Sequence, residues 1–151
     1  MKTAIVYCSI SGNTEEAAQL LTQQFALEGH QADVFRVEDF QMDQLSQLEH
    51  LVIGTYTWGN GEIPIEMLPL LRELVRVERK KLVTGIFGTG DSFYPKFCGA
   101  VDELSERLMP TTSLAGTLKI ELSPQIEDFP RCKKFIDQVL QNCSKNIIRQ
   151  V

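Results

Sequence analysis

Patterns that bind metals or form redox dithiols are missing from this sequence of 151 residues. Its four cysteines include no Cys-x-x-Cys pair, and neither His30 nor His50 stands at metal-ligand spacing from a cysteine. These absences argue against a zinc site and against a redox-active dithiol. We expect no bound metal, and we expect both histidines on the surface or in loops. Ordinary reduced thiols are expected at Cys8, Cys98, Cys132 and Cys143.

Long apolar runs are also missing. The opening residues, MKTAIVYCSISGNT, contain one short apolar run and then turn polar, which is too little to cross a bilayer. They also lack the cleavage-site pattern of a secretory signal. We therefore expect a cytoplasmic protein that is not attached to a membrane.

Positive charge is scarce, since 15 lysines and arginines stand against 20 aspartates and glutamates and give a net charge of -5. This charge disfavours binding to nucleic acid or to anionic membranes. It favours transient contact with basic protein partners. The length suits a single domain, 1–151, that buries a sizeable core without disulfides or metal, and we expect a monomer.

Apolar runs alternate along the chain with segments of helical spacing. Three near-continuous runs predict strands covered on both faces, and two more mixed runs predict strands at the sheet edges. In chain order, the five predicted strands are Ala4 to Cys8, Ala32 to Val37, Leu51 to Tyr56, Leu82 to Gly88 and Leu114 to Leu122.

Four longer helices are predicted between and after these strands. The last is the clearest, because Asp128 stands at its N-cap position and Pro130 in its first turn. The segment from Met42 to Leu48 is long enough only for a short helix. The apolar faces of the four helices are Ala17, Ala18, Leu21 and Phe25; Met67, Leu68, Leu71, Leu74 and Val75; Phe97, Val101, Leu104 and Leu108; and Cys132, Phe135, Ile136, Val139, Leu140 and Cys143.

Five strands joined by helices predict an α/β fold with a single doubly wound parallel sheet and helices on both faces. Ligands of such sheets bind beyond the carboxyl ends of the strands, near the switch in strand order. The candidate site therefore lies in the loops after the first, third and fourth strands, Ser9 to Thr14, Thr55 to Pro64 and Gly88 to Phe97.

The first loop, SISGNT, leads from a strand into a helix. Its hydroxyl groups, the flexible Gly12 and the unpaired amides of a helix start suit an anion such as a phosphate. A simpler interpretation is a hydroxyl-rich cap that closes the turn. The loop lacks the lysine of a Walker A motif and the glycines of a GxGxxG fingerprint. A cysteine-dependent phosphatase would require an arginine after Cys8 in this loop, and the loop contains none.

Two aromatic residues, Trp58 and Tyr94, stand in the second and third loops. Either one alone is as easily explained by packing. Together, beside a phosphate-binding loop, they favour a planar ring held between them, and this combination favours a flavin.

The motifs SxSGNT, TWGNG and GTGDSFYPKFCGAVDEL resemble the three cofactor loops of the flavodoxins, a family of small FMN-binding electron carriers. The resemblance extends along essentially the whole chain and is closest to the short-chain branch. It implies FMN as the cofactor, the strand order 2-1-3-4-5 and no substrate chemistry of the protein's own.

The resemblance also implies a role for each loop. The first loop would wrap the phosphate, Trp58 would cover the inner ring face, Tyr94 the outer face, and the third loop with Cys98 the pyrimidine edge. Ile10 and Tyr56 depart from the commoner family pattern, which implies fewer phosphate contacts. The expected cofactor-binding residues are Ser9, Ile10, Ser11, Gly12, Asn13, Thr14, Thr55, Tyr56, Thr57, Trp58, Gly59, Asn60, Thr89, Gly90, Asp91, Tyr94 and Cys98.

In the family, the peptide after the tryptophan flips on one-electron reduction and accepts a hydrogen bond from N5 of the neutral semiquinone. Gly59 has the backbone freedom for this flip. Carboxylates near the ring would raise the energy of the anionic hydroquinone and lower the second potential. These carboxylates belong to Glu62, Glu66, Asp91, Asp102 and Glu103, with Lys96 as the nearby base.

The predicted function is therefore a low-potential one-electron carrier that uses non-covalently bound FMN to shuttle electrons between larger redox enzymes. Two alternatives stay open from the sequence. An NAD(P)H:quinone reductase of the same fold would need a nicotinamide site, for which the sequence offers no basic pocket. A binding module without flavin is the other.

Overall fold

The structure is a computed structural model that describes residues 2–142 and 149–150. Strands and α-helices alternate along the chain as the sequence pattern predicts, except between β2 and β3, which 3₁₀ helices connect. Their bounds are β1 Thr3–Tyr7, α1 Asn13–Leu27, β2 Ala32–Arg36, β3 His50–Tyr56, α2 Leu68–Arg76, β4 Arg79–Gly90, α3 Gly99–Leu108, β5 Thr112–Glu121, α4 Phe129–Gln141 and β6 Arg149–Gln150.

All strand pairs in the sheet are parallel, and the order across it is β2-β1-β3-β4-β5-β6. The predicted order 2-1-3-4-5 is confirmed. The two-residue β6 lies beside β5 and was not predicted. Because the strand order reverses between β1 and β3, the loops that follow these two strands diverge and open a crevice at their carboxyl ends.

Helices cover both faces of the sheet. On one face, Phe25 of α1 and Phe135 of α4 pack with Ile5 of β1. On the other face, Leu74 of α2 lies in the same apolar cluster as Val6 of β1. Neighbouring residues of β1 thus enter opposite clusters, as the two-residue period of a strand requires.

The predicted helices are present with small differences. The segment that starts at Met42 forms a 3₁₀ helix, Met42–Gln47. Asp128 holds the N-cap position of α4 and Pro130 its first turn. The Asp128 carboxylate does not cap α4, because it accepts a hydrogen bond from the Gln125 N–H at 2.9 Å and pairs with Arg131 at 3.0 Å. The predicted face residue Cys143 lies outside the described residues.

The expectation that His50 lies at the surface or in a loop is wrong. His50 is buried at the start of β3, with its Nδ1 atom 3.1 Å from the Thr3 hydroxyl. Burial lowers the pKa of its imidazole. Among the described residues, no helix is long and apolar enough to cross a membrane.

Candidate functional site

A cleft of about 470 Å³ lies at the carboxyl ends of β1, β3 and β4. Its size is within the range of small-molecule binding sites. The three predicted loops form its wall. Predicted site residues in the wall are Ile10, Ser11, Asn13, Tyr56, Thr57, Gly59, Asn60, Thr89, Gly90, Asp91, Tyr94 and Cys98.

The remaining predicted residues, Ser9, Gly12, Thr14, Thr55 and Trp58, are not part of this wall. Residues outside the predicted cofactor-binding set also line the cleft. Gly61, Pro95 and Lys96 belong to the second and third loops, and Leu122 follows the end of β5. The first three lie within loops that the sequence analysis selected, so they could have been included, but nothing in the sequence near Leu122 indicates a binding site.

The first loop closes the start of α1 and also presents polar groups to the cleft. The Ser9 hydroxyl accepts hydrogen bonds from the N–H groups of Gly12 at 3.2 Å and Glu15 at 3.4 Å. Gly12 has a φ of 95°, a left-handed conformation that favours glycine. Ser9 therefore serves as the predicted cap, while Ser11 and Asn13 line the cleft beside a helix N-terminus, where an anion is stabilised.

Buried threonines connect the first loop to the sheet and hold the backbone at the end of β3. The Thr14 and Thr89 hydroxyls are buried and lie 2.7 Å apart. The Thr55 hydroxyl donates to the Tyr56 carbonyl at 2.7 Å. These hydrogen bonds help to fix the backbone on which the cleft is built.

Cys8, at the end of β1, is not an activated nucleophile. Its thiol is buried 3.5 Å from the Thr55 hydroxyl. Burial raises the pKa of the thiol to about 11, so it is protonated at neutral pH. This finding argues against the cysteine-dependent phosphatase.

The second loop is a tight turn between Trp58 and Glu62. The Trp58 N–H donates to the Glu62 carbonyl at 2.9 Å, and the Glu62 N–H donates back at 2.7 Å. Between them, Gly59 and Gly61 have φ values of 51° and 92°. The Trp58 side chain is 58% exposed, and the cleft wall at this point is formed by Gly59, Asn60 and Gly61.

The third loop is a turn built on Asp91. The Asp91 carboxylate accepts the Phe93 N–H at 2.9 Å, and the Asp91 carbonyl accepts the Tyr94 N–H at 3.1 Å. The hydroxyl and N–H of Ser92 both donate to the Glu121 carboxylate, which ties the loop to β5. Tyr94, which is 67% exposed, is thereby held at the edge of the cleft.

Tyr56 and Cys98 occupy the wall as neutral groups. The Tyr56 hydroxyl donates to the Glu66 carboxylate at 3.0 Å, and burial together with Glu66 raises the pKa of the phenol. Cys98 precedes α3 with a φ of 51°. Burial raises the pKa of its thiol to about 12. The Thr57 hydroxyl accepts the Ala100 N–H at 3.2 Å and so holds the second loop to the start of α3.

The carboxylates predicted to lie near the ring are only partly free of counterions. Asp102 forms a salt bridge of 2.8 Å with Lys119, so its charge is largely offset. Glu62 and Asp91 form no salt bridge with any cation in the described part of the chain, and Lys96 lines the cleft. Within residues 2–142 and 149–150, no cluster of His, Cys, Asp or Glu could hold a metal ion.

Comparison with known proteins agrees with this geometry. The sequence profile described as flavodoxin matches residues 5–133. The chain belongs to the flavodoxin family. It is 38% identical over 139 residues to the probable flavodoxin 1 of Bacillus subtilis strain 168, covering 89% of this chain and 87% of that protein.

Structural similarity supports the same family. The flavodoxin of Streptococcus pneumoniae TIGR4 superimposes with a TM-score of 0.86 and 29% identity, covering 93% of this chain and 98% of that flavodoxin. The chain also matches a segment of a larger protein. It is 32% identical over 100 residues to the sulfite reductase [NADPH] flavoprotein alpha-component of Vibrio vulnificus, covering 64% of this chain and 16% of that protein.

Flavodoxins bind FMN, and the residues present fit this cofactor. FMN combines a phosphate with a large planar ring. The flavodoxin cleft has Ser11 and Asn13 beside the start of α1, where a phosphate is stabilised without a basic side chain in the loop. The same cleft is lined by the backbone of Gly90 and by Tyr94, a combination of polar backbone groups and an aromatic side chain that suits a planar ring.

Proposed function

We propose that this chain is a low-potential one-electron carrier that works with non-covalently bound FMN. The observation that carries the proposal is the single cleft wall that the three flavodoxin-like loops build at the switch point of the sheet. Bound FMN would supply the one-electron chemistry. The protein's part is to bind the phosphate, to orient the ring and to set the energy of each redox state.

The proposed contacts follow the three loops. Ser11, Asn13 and the first amides of α1 would hold the phosphate. Tyr94 would stack on one face of the ring, and Trp58 would cover the other face from its exposed position. Gly90 and Cys98, which line the cleft, would contact the pyrimidine edge through their backbone groups.

The backbone of the second loop suits a site that changes conformation with redox state. Trp58 and Glu62 hold each other through two backbone hydrogen bonds, so the ends of the turn are fixed. Between these ends, Gly59 already has a positive φ, which costs glycine little. A peptide reorientation at Gly59 would therefore be confined to the turn and leave the rest of the cleft in place.

Charge is the second contribution of the protein. Glu62 and Asp91 belong to the two ring loops, and neither has a salt-bridge partner among the described residues. At ~10 Å, each carboxylate would raise the energy of an anionic ring by ~0.4 to 1.7 kcal/mol, for effective dielectric constants of 80 to 20. We propose that these charges lower the second one-electron potential, with Lys96 acting in the opposite direction.

The same proposal covers partners and setting. We propose a monomeric cytoplasmic domain, 1–151, that meets basic surfaces of redox enzymes transiently and transforms no substrate itself. The net charge of -5 supports basic partners. The free, buried thiols of Cys8, Cys98 and Cys132 support a reducing environment. The match to a segment of a sulfite reductase flavoprotein supports an electron-transfer role.

The test is an anaerobic reductive titration of the purified protein supplied with FMN. We expect one FMN per chain and two separate one-electron steps in the visible spectrum. Reduction in a single two-electron step, or rapid flavin reduction by NADPH without a reductase, would favour the quinone reductase. A protein that takes up no FMN would exclude the carrier. We expect Trp58→Ala and Tyr94→Ala to weaken FMN binding, whereas a flavin-free module would be indifferent to both changes.

A further inference from the structure

Arg36 lies next to the first loop although it is far from it in sequence. It is the last residue of β2, and the strand register pairs it with Tyr7, the last residue of β1. Ser9 follows Tyr7 by two positions. The parallel pairing of β1 and β2 therefore brings a guanidinium to a loop whose own sequence, SISGNT, contains no lysine or arginine.

The guanidinium of Arg36 is held by several groups at once. Its Nη2 donates to the Ser9 carbonyl at 3.0 Å, its Nη1 to the Glu15 carboxylate at 3.4 Å, and its Nε to the Glu38 carboxylate at 3.3 Å. Its central carbon lies 5.5 Å from the centre of the Tyr7 ring, within the range of a cation–π contact. The fork of the guanidinium thus has a defined orientation.

The contacts with Ser9 and Glu15 bear on anion binding. Because the peptide is planar and trans, fixing the Ser9 carbonyl toward Arg36 turns the Ile10 N–H to the opposite side. Glu15 stands in the first turn of α1, and its negative charge would repel a phosphate at that helix start. Arg36 offsets this charge at a distance of 3.4 Å.

We infer that Arg36 is a positioning residue for the phosphate of the cofactor, acting through Ser9 and Glu15. It orients the first peptide of the loop and, from the neighbouring strand, offsets the negative charge of Glu15 at the start of α1. The inference rests on the proposed function, because it concerns the phosphate of FMN.

The test compares FMN with riboflavin, which has the same ring and no phosphate. Affinities are measured by quenching of flavin fluorescence at low and high salt. In Arg36→Gln we expect FMN to bind about fivefold more weakly at low salt. The affinity for riboflavin should change less than about twofold, because only FMN has a phosphate whose charge interacts with Arg36 and Glu15. The difference should shrink in ~1 M salt, where charges are screened within a few ångströms.

Two further variants separate charge from folding. Glu15→Gln keeps one of the two acceptor oxygens of the carboxylate and removes its charge, so we expect FMN, and not riboflavin, to bind about two- to fivefold more tightly. This opposite change cannot come from loss of structure. Arg76→Gln is the matched control, since Arg76 pairs with Glu73 on the exposed side of α2 and should change neither affinity.

The outcomes are distinct. If the wild type binds FMN but the ratio of FMN to riboflavin affinity is the same in Arg36→Gln and Glu15→Gln as in the wild type, the role of Arg36 is wrong and the carrier function stands. One form of that result, an equal loss for both flavins in Arg36→Gln without a gain for FMN in Glu15→Gln, would mean that Arg36 is a merely structural residue. A wild type that binds neither flavin would overturn the proposed function itself.

Discussion

Gly61 of the second loop and Gly99 of α3 lie so close together that a Cβ atom on Gly99 would be 2.9 Å from the Gly61 Cα atom. A Cβ atom on Gly61 would in turn be 2.7 Å from the Lys96 side chain. The two glycines therefore allow the second loop to pack directly against the third loop and the start of α3. Gly61 and Lys96, which take part in this packing, line the cleft.

Replacing Gly99 by alanine should open this contact. We expect Gly99→Ala to lower the free energy of unfolding by about 1 to 3 kcal/mol through overpacking and to weaken FMN binding. Urea unfolding and FMN titration measure the two effects. Gly29→Ala is the control, because Gly29 has a φ of 80° and open space around it. It should cost stability through backbone strain and leave FMN affinity unchanged; equal losses of affinity in both variants would contradict the contact.

The charge of Asp91 is expected to affect the second reduction step. Asp91→Asn keeps the oxygen that accepts the Phe93 N–H and removes the charge from the cleft wall. We expect the second midpoint potential to rise by ~20 to 70 mV, from ~0.4 to 1.7 kcal/mol of relieved repulsion on a one-electron couple. Spectroelectrochemical titration of both couples measures the shift.

Asp43→Asn is the matched control for this potential. Asp43 is exposed in the 3₁₀ helix Met42–Gln47 and does not line the cleft. We expect it to leave both potentials where they are in the wild type. A similar rise in both variants would mean that the net charge of the protein, and not the position of Asp91, sets the potential.

His50 should make stability depend on pH. Its pKa is lowered by burial in the folded protein, while in the unfolded chain it is ~6.5. Below that pH the unfolded state gains a proton that the folded state resists, so stability is complete above pH ~6.5 and falls as the pH drops. In His50→Asn, which can still contact Thr3, urea unfolding should show a smaller loss between pH 7.5 and 5. An unchanged loss would contradict the role of His50.

The buried thiols should be inert in the folded protein. Burial raises the pKa of Cys8 and Cys132 to about 11 and that of Cys98 to about 12. In a Cys143→Ser background, which restricts labelling to these three residues, we expect almost no alkylation by iodoacetamide at pH 8 and full alkylation in denaturant. Mass spectrometry counts the added groups. Rapid labelling of a native thiol would mean that it is more accessible than its burial indicates.

The sequence predicted the strands where apolar residues mark their buried parts. β4 begins at Arg79, earlier than the predicted Leu82. The prediction missed this start because Lys80 and Lys81 are exposed at the end of the sheet and have no apolar pattern. The burial of His50 was missed for a related reason, since it is a single polar residue at the start of an otherwise apolar strand, and the apolar pattern does not show that it is buried. The short β6 depends on docking beside Gly116 and Thr117 of β5, which no local pattern in Arg149–Gln150 indicates.

The candidate site was predictable as a set of loops and less so as a set of side chains. Leu122 reaches the cleft through a left-handed conformation, with a φ of 55°, and its N–H donates to the Gly90 carbonyl at 2.7 Å. Such a conformation is rare for leucine and arises from tertiary contacts. The stacking roles of Trp58 and Tyr94 stay predictions, and Trp58 lies largely in solvent.

The hydrogen bond between Thr14 and Thr89 joins residues that are 75 positions apart in the chain. No short fragment of the protein can therefore contain the binding site, and a growing polypeptide cannot acquire FMN until most of it has been synthesised and its parallel strands have paired. Cofactor binding in turn clamps segments from both halves of the chain. FMN added in excess should therefore stabilise the folded state as a whole by mass action.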